Sequence, residues 1–184
     1  MDNILPAPTS VESTVELVHL FDKMKAVRAF VFDVDGVFTN NTIMVTEAGE
    51  LLRTMNVRDG LAVKLAVRAG FPVGIITGGR SEGTKKRLTD LGIDEYYSGI
   101  ADKWPAFQSF VQRKGVSPAE ICYMGDDLPD LAVMRKVMLS VCPADAIPEL
   151  LSSCDYVSPL AGGAGCVRDI LEKVMKIQGK WPEY

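Results

Sequence analysis

With 184 residues, 47% hydrophobic and 24% charged, the chain is long enough for one domain with a full core and has the balance of a soluble globular protein. Its formal charge of −4, with no basic stripe, argues against a nucleic-acid partner. No apolar run reaches the ~18 residues of a spanning helix, and Met1-Asp2-Asn3-Ile4 lacks the basic start of a signal peptide, so a cytoplasmic protein without membrane contact is expected.

In chain order, residues 1–9 read as a loose leader containing Pro6 and Pro8, and Ser10 to Lys25 has the apolar spacing of a helix. Val27 to Asp33 is a short apolar run that ends abruptly in acids and Gly36, the pattern of a buried strand opening into a polar loop. Residues 42–56 hold two β-rich halves around Glu47-Ala48-Gly49-Glu50, which predicts a hairpin. A helix from Asp59 to Ala69 stops at Gly70, and a second buried strand from Phe71 to Ile76 ends at Thr77-Gly78-Gly79. Ser81 to Leu91 is a helix closed by Gly92, Tyr96-Tyr97-Ser98 a short strand, and Asp102 to Lys114 a helix closed by Gly115. Ile121 to Met124 is a strand followed by Gly125-Asp126-Asp127; Leu128 to Lys136 is expected as a helix and Val137 to Val141 as a strand. A short helix near Ala146 to Leu151, a strand at Asp155-Tyr156-Val157 and a glycine-rich opening to a helix ending near Gln178 complete the series, with 179–184 as a tail. Strands alternating with helices of this length predict an α/β domain built on a parallel sheet, and residues 1–184 read as one domain.

The choice of chemistry is narrow. Cys122, Cys142, Cys154 and Cys166 form no C-x-x-C pair, and none has Arg six positions later, so zinc, thioredoxin and cysteine-phosphatase sites are not expected. They read as small buried thiols kept reduced. His19 is the single histidine, which removes Ser-His-Asp and phosphohistidine chemistry. Carboxylates must therefore carry any reaction. Ligands of a parallel sheet bind beyond the carboxyl ends of its strands, and Asp33/Asp35, Thr77, Lys103 and Asp126/Asp127 all fall at that edge. A phosphoryl group placed there needs positive charge, because an anionic nucleophile must approach another anion. Asp33 and Asp126 could hold Mg²⁺ with a loop carbonyl, Lys103 could neutralise a phosphate oxygen, and the Thr77 hydroxyl and Gly78 amide could donate to others. Asp35 could protonate the leaving oxygen and then deprotonate water, so that the reaction divides through an aspartyl-phosphate. Each feature has a plainer reading by itself: a turn for Asp-x-Asp, a helix cap for Thr77 or for Gly125-Asp126-Asp127, a solvated side chain for Lys103.

Taken together, Asp33-Val34-Asp35-Gly36-Val37-Phe38-Thr39, Ile75-Ile76-Thr77-Gly78, Lys103 and Gly125-Asp126-Asp127-Leu128-Pro129-Asp130 resemble the four motifs of the haloacid dehalogenase superfamily, over nearly the whole chain. The resemblance implies a three-layer Rossmann-like fold with Asp33 as nucleophile and Asp35 as general acid/base. Thr77, Gly78 and Lys103 would bind phosphate. Asp33, the Asp35 carbonyl and Asp126 would hold Mg²⁺, with Asp127 and Asp130 supporting the metal and Lys103. The chain departs from the pattern at Thr77-Gly78-Gly79-Arg80, where members often have Thr-Gly-Arg, so Arg80 is given no role.

Thr77 lies 44 positions after Asp33 and Lys103 lies 26 positions after Thr77, too few beyond the predicted elements for a cap domain. A neighbouring subunit is then the simplest lid, which predicts an oligomer. Asn56-Val57-Arg58-Asp59-Gly60, Gly162-Gly163-Ala164-Gly165-Cys166-Val167-Arg168 and Gln178-Gly179-Lys180 are similar to the capless 3-deoxy-D-manno-octulosonate 8-phosphate phosphatase family of lipopolysaccharide biosynthesis. That resemblance implies a homotetramer with its hairpins at the centre, a tail able to reach a neighbour's site, and a sugar-acid phosphate as substrate. Arg58, with Gly60 beside it, is the first candidate for the substrate carboxylate and Arg87 the second; Arg168 is left without a role. The sister family, acting on nine-carbon sialic acid 9-phosphates, is the alternative. A receiver-type phospho-acceptor domain and a non-catalytic scaffold are more distant ones.

Overall fold

The computed structural model describes residues 19–183. The leader, the start of the first helix and Tyr184 lie outside them. Helix α1 is described over residues 19–26. It is followed by β1 (Ala29–Phe32), a hairpin of β2 (Met44–Val45) and β3 (Leu51–Leu52), α2 (Val57–Arg68), β4 (Val73–Thr77), α3 (Glu82–Thr89), β5 (Glu95–Ser98) and α4 (Lys103–Lys114). Then come β6 (Ile121–Met124), α5 (Leu131–Met134), β7 (Leu139–Cys142), α6 (Pro148–Leu151), β8 (Tyr156–Val157) and α7 (Cys166–Ile177).

Six strands form a parallel sheet in the order β5-β4-β1-β6-β7-β8. Side chains alternate across it, as the two-residue period of a strand requires. Phe30 and Phe32 pack with α2, α3 and α7, whereas Ala29 and Val31 pack with Phe107 and Phe110 of α4, Val133 of α5 and Leu150 of α6. Covering both faces explains why β1 reads as an unbroken apolar run. Numbering the parallel strands alone gives the order 3-2-1-4-5-6, the Rossmann arrangement. A receiver domain would show 2-1-3-4-5, so that alternative is set aside. The strand order reverses at β1, between β4 and β6, and a ligand crevice is expected there.

The hairpin ladder is shorter than the 42–56 segment suggests. Only Met44 pairs with Leu52 and Val45 with Leu51, and Thr46, Gly49 and Glu50 bond among themselves to close the turn. All four strand side chains are exposed. The helix expected from Leu128 to Lys136 is divided. Pro129 and reciprocal capping by Asp127 and Asp130 tighten Leu128–Asp130 into a 3-10 turn, after which α5 makes one short run. Strand β7 starts at Leu139, because Met138 N–H turns aside to donate to the Pro118 carbonyl. The tail folds back on its own helix: Lys180 and Trp181 N–H donate to the Met175 carbonyl, and Lys180 Nζ stands 4.2 Å from the Phe71 ring centre. All four cysteines are free, with the sulfurs of Cys142 and Cys154 3.2 Å apart.

Helix α7 begins at Gly165 without a side-chain cap of its own. Asp59, fully buried on α2, supplies one: Arg168 N–H donates to Asp59 Oδ1 at 2.7 Å, while Oδ2 has no partner among the described residues. Burial pushes this carboxyl up to about 6, the Arg168 amide and charge opposing it. Because the folded value lies above the unfolded one, Asp59 favours folding most below pH ~4 and its contribution is lost as pH rises through about 6. Asp59→Asn keeps the capping oxygen. It should flatten that decline, on the order of 2 kcal/mol, when urea midpoints are compared between pH 4 and 7; a variant with the same slope as the parent would refute this.

Candidate active site

The register of the three central strands aligns their ends. Phe32 lies opposite Ile75 on one side and Met124 on the other, and Asp33 N–H donates to the Met124 carbonyl at 3.0 Å. Asp33, Thr77 and Asp126 therefore emerge at one edge, at the reversal point of the sheet. Lys103 joins them as the first residue of α4, which is capped by Asp102. These groups line a cleft of about 290 Å³ together with Asp35, Asn41, Gly78, Gly79 and Asp127.

The deepest part is an ion-paired chain. Lys103 Nζ stands 2.7 Å from Asp33 Oδ2 and 2.7 Å from Asp130 Oδ1, with its side chain only 3% exposed. The second Asp33 oxygen accepts from Val34 N–H at 2.6 Å. Burial, then the Asp130 charge, push Asp33 up to about 7, while Lys103 pulls it down. Lys103 itself is raised by Asp130 and Asp33, although burial, the largest single influence, acts the other way. Asp126 is pushed up to about 6, mainly by burial, against a hydrogen bond from Asn41 Nδ2 at 2.7 Å.

Asp33, Asp126 and Asp130 offer carboxylate oxygens that all lie within 4.8 Å of one another. An all-oxygen, anionic donor set suits a hard divalent cation such as Mg²⁺. Asp130 is already committed: Oδ1 accepts from Lys103 and from Tyr123 O–H at 2.6 Å, and Oδ2 accepts from the amides of Asp126 and Asp127. With four donors on two oxygens it is a scaffold for Lys103 and the Asp126 loop, leaving Asp33 and Asp126 as the carboxylates available to a cation. Asp127 is exposed and caps the 3-10 turn, its Oδ1 accepting from Leu128 N–H.

Two glycines make the cradle possible. Gly36 has φ +80°, and a Cβ there would stand 2.0 Å from Asp126 Oδ2. Gly162 presses on the same loop from the far end of the chain: a Cβ there would meet the Gly36 carbonyl oxygen at 2.0 Å. Gly36→Ala should displace the Asp126 carboxylate and weaken Mg²⁺ binding at least about tenfold, by the usual penalty for disturbing a metal ligand's setting. Magnesium titration by calorimetry measures it, and unchanged affinity would refute the close-packing argument.

Thr77 is buried at the end of β4, and its hydroxyl accepts from Gly79 N–H at 3.2 Å. Gly78 is exposed beside it. The residues proposed for substrate beyond the phosphate are not brought to this cleft. Arg58 lines a separate groove with Arg168, Lys173 and Lys176, and Arg87 lines a small one with Arg53 and Met55. Gly60 is buried, and a Cβ there would stand 2.7 Å from the Arg87 guanidinium, so its smallness makes room for Arg87 between α2 and α3. The motifs also miss partners that the fold supplies: Asn41 on Asp126, Tyr123 on Asp130, and Arg53 on Asp35. Asn41, the one non-glycine residue at positive φ (+63°) among those described, had a signal in the Asn40-Asn41 pair, since asparagine tolerates that conformation.

Known proteins are similar to this chain in sequence and in fold. A family model described as haloacid dehalogenase-like hydrolase matches residues 92–168. The chain is 39% identical over 165 residues to the 3-deoxy-D-manno-octulosonate 8-phosphate phosphatase of Salmonella typhi, covering 90% of this chain and 88% of that one. Among solved structures, the same-named phosphatase from Yersinia pestis superposes with a TM-score of 0.86 at 36% identity, covering 88% of both chains. The Moraxella catarrhalis phosphatase, solved with magnesium, phosphate and the KDO sugar acid, superposes with a TM-score of 0.84 at 29% identity, covering 87% of this chain and 92% of that one.

Proposed function

The chain belongs to the family of haloacid dehalogenase-like 3-deoxy-D-manno-octulosonate 8-phosphate phosphatases, and from that premise we propose how its own residues divide the work. It is a magnesium-dependent phosphoric monoester hydrolase that converts 3-deoxy-D-manno-octulosonate 8-phosphate to the free sugar acid and phosphate, a step of lipopolysaccharide biosynthesis. The observation that carries the site reading is Lys103 between Asp33 and Asp130, at 2.7 Å from each, beside Asp126.

In this reading a carboxylate oxygen of Asp33 bonds to phosphorus as the bond to the sugar oxygen breaks, and Asp35 gives its proton to that oxygen. Water then attacks the aspartyl-phosphate, Asp35 takes a proton back, and Asp33 is restored with release of phosphate. Lys103, the Thr77 hydroxyl and the Gly78 amide hold phosphate oxygens. Asp33, Asp126 and the Asp35 carbonyl would hold Mg²⁺, whose charge offsets that of the phosphate; Asp127 and Asp130 keep their loop in place. Phosphate release from a panel of eight- and nine-carbon sugar-acid phosphates, with and without chelator, tests the function. Activity indifferent to chelator, or a preference for the nine-carbon acids, would overturn it.

A cleft of about 290 Å³ suits a phosphate better than a whole eight-carbon substrate. The connections that carry cap domains in related folds hold here only the hairpin and α2, and α3. We assign the missing wall to a second subunit of a homotetramer. Support comes from the hairpin, where Met44 and Val45 are 68% and 64% exposed and Leu51 and Leu52 about half exposed; an isolated two-stranded ribbon with apolar faces needs a partner. Of the two arginines proposed for the substrate carboxylate, Arg87 is the better placed, sharing a groove with Arg53. A cytoplasmic location completes the proposal, and the free thiols suit a reducing compartment.

A further inference from the structure

Arg53 follows the second hairpin strand and belongs to none of the four motifs. Its side chain is only 6% exposed, although the hairpin residues before it face solvent. The guanidinium meets Asp35 with two nitrogens, Nε to Oδ1 at 2.6 Å and Nη2 to Oδ2 at 3.1 Å. Such a fork fixes both carboxylate oxygens in one plane. Gly79 makes the space for it: a Cβ there would stand 3.1 Å from Asp35 Oδ2 and 3.3 Å from Arg53 Nη2. This is the glycine by which the chain departs from Thr-Gly-Arg. The arginine that follows, Arg80, lies instead over Gly99, where a Cβ would meet its Nε at 2.3 Å. A guanidinium thus reaches this corner of the site from the hairpin.

A carboxyl group held by both oxygens has neither directed at a leaving group. We propose that Arg53 is a positioning residue for Asp35: it holds the carboxylate in the empty site, releases one oxygen that takes up a solvent proton as substrate binds and passes it to the leaving sugar oxygen, and re-forms the fork once the proton which that oxygen then takes from the attacking water has returned to solvent. This rests on Asp35 being the general acid/base. It also makes the hairpin part of the catalytic apparatus, since Arg53 can reach Asp35 only while β3 stays where it is.

The leaving group separates this role from a structural one. An aryl phosphate such as 4-nitrophenyl phosphate expels a stable phenolate and needs little proton donation, whereas the sugar alkoxide needs it. Arg53→Ala should lower kcat/KM on the octulosonate phosphate at least about tenfold, with KM little changed, and on the aryl phosphate less than about twofold. Arg53→Lys, with one arm, should recover part of the loss. In an Asp35→Asn background Arg53→Ala should add less than about twofold. Equal losses on the two substrates, or full additivity with Asp35→Asn, would overturn the proposal. An Asp35→Asn variant that processed the sugar phosphate normally would instead overturn the acid/base reading beneath it.

Discussion

Asp33→Asn should abolish phosphate release, by about 10⁴-fold or more, while leaving the apo protein at least as stable as its parent. Asparagine has the shape of the aspartate but no anionic oxygen to bond to phosphorus. It can still accept from Val34 N–H, and Lys103 keeps Asp130 as its ion partner. The stability half follows from linkage. Burial and Asp130 raise the Asp33 carboxyl to about 7, so the folded state holds a proton that the unfolded state gives up near pH 4. Its contribution is therefore greatest below pH ~4 and falls as pH rises through about 7. Removing the charge should remove that decline. Initial rates and thermal melts of metal-free protein at pH 6 and 8 measure both halves. Activity within tenfold of the parent, or a variant markedly less stable at pH 8, would contradict the assignment.

Lys103→Met should be the most damaging single change for folding and activity together. It deletes the cation between two buried carboxylates, leaving Asp33 and Asp130 with no counter-charge between them. Breaking a buried ion pair from one side typically costs about 3–5 kcal/mol. In a domain of this size that is a melting shift of roughly 6–20 °C. Activity should fall at least about 10³-fold, because a phosphate oxygen and the nucleophile lose the same charge. Adding Asp130→Asn should restore much of the stability and none of the activity, which separates the two roles of the lysine. A Lys103→Met protein within about 1 kcal/mol of the parent by urea denaturation would show that the ion-paired chain is not as closely coupled as its distances imply.

The parts of the fold that proved legible are those written in local pattern. Phe30 to Phe32, Ile75-Ile76 and Cys122 to Met124 are unbroken apolar runs because both faces of the sheet are covered, and each ends in the polar residues that the register then aligns. The segment after Asp126 was misread as one helix, since apolar spacing from Leu128 onward continues across Pro129. What divides it is Asp130, turned inward to bond two amides, Lys103 and Tyr123, a demand made by the site and not by the segment. The contacts of Arg53 with Asp35 and Asn41 with Asp126 were illegible for a related reason. They join residues 18 and 85 positions apart through loops whose paths have no periodicity to read. The two arginines proposed for the substrate carboxylate suffer most, because a motif fixes which residue is present and not which groove it lines.

The glycine-rich turn before α7 has a consequence for the order of events during synthesis. Gly163 N–H donates to the Val37 carbonyl, Cys166 sulfur reaches the same carbonyl from 129 positions away, and Asp59 waits for the amide of Arg168. A nascent chain that has emerged only to residue 160 carries every motif, yet the loop after Asp33 lacks the two partners that Gly163 and Cys166 give the Val37 carbonyl. Contacts of such long sequence separation form late, so hydrolytic competence should arrive with the last helix. A chain truncated after residue 160 would then keep the whole signature and lack the activity.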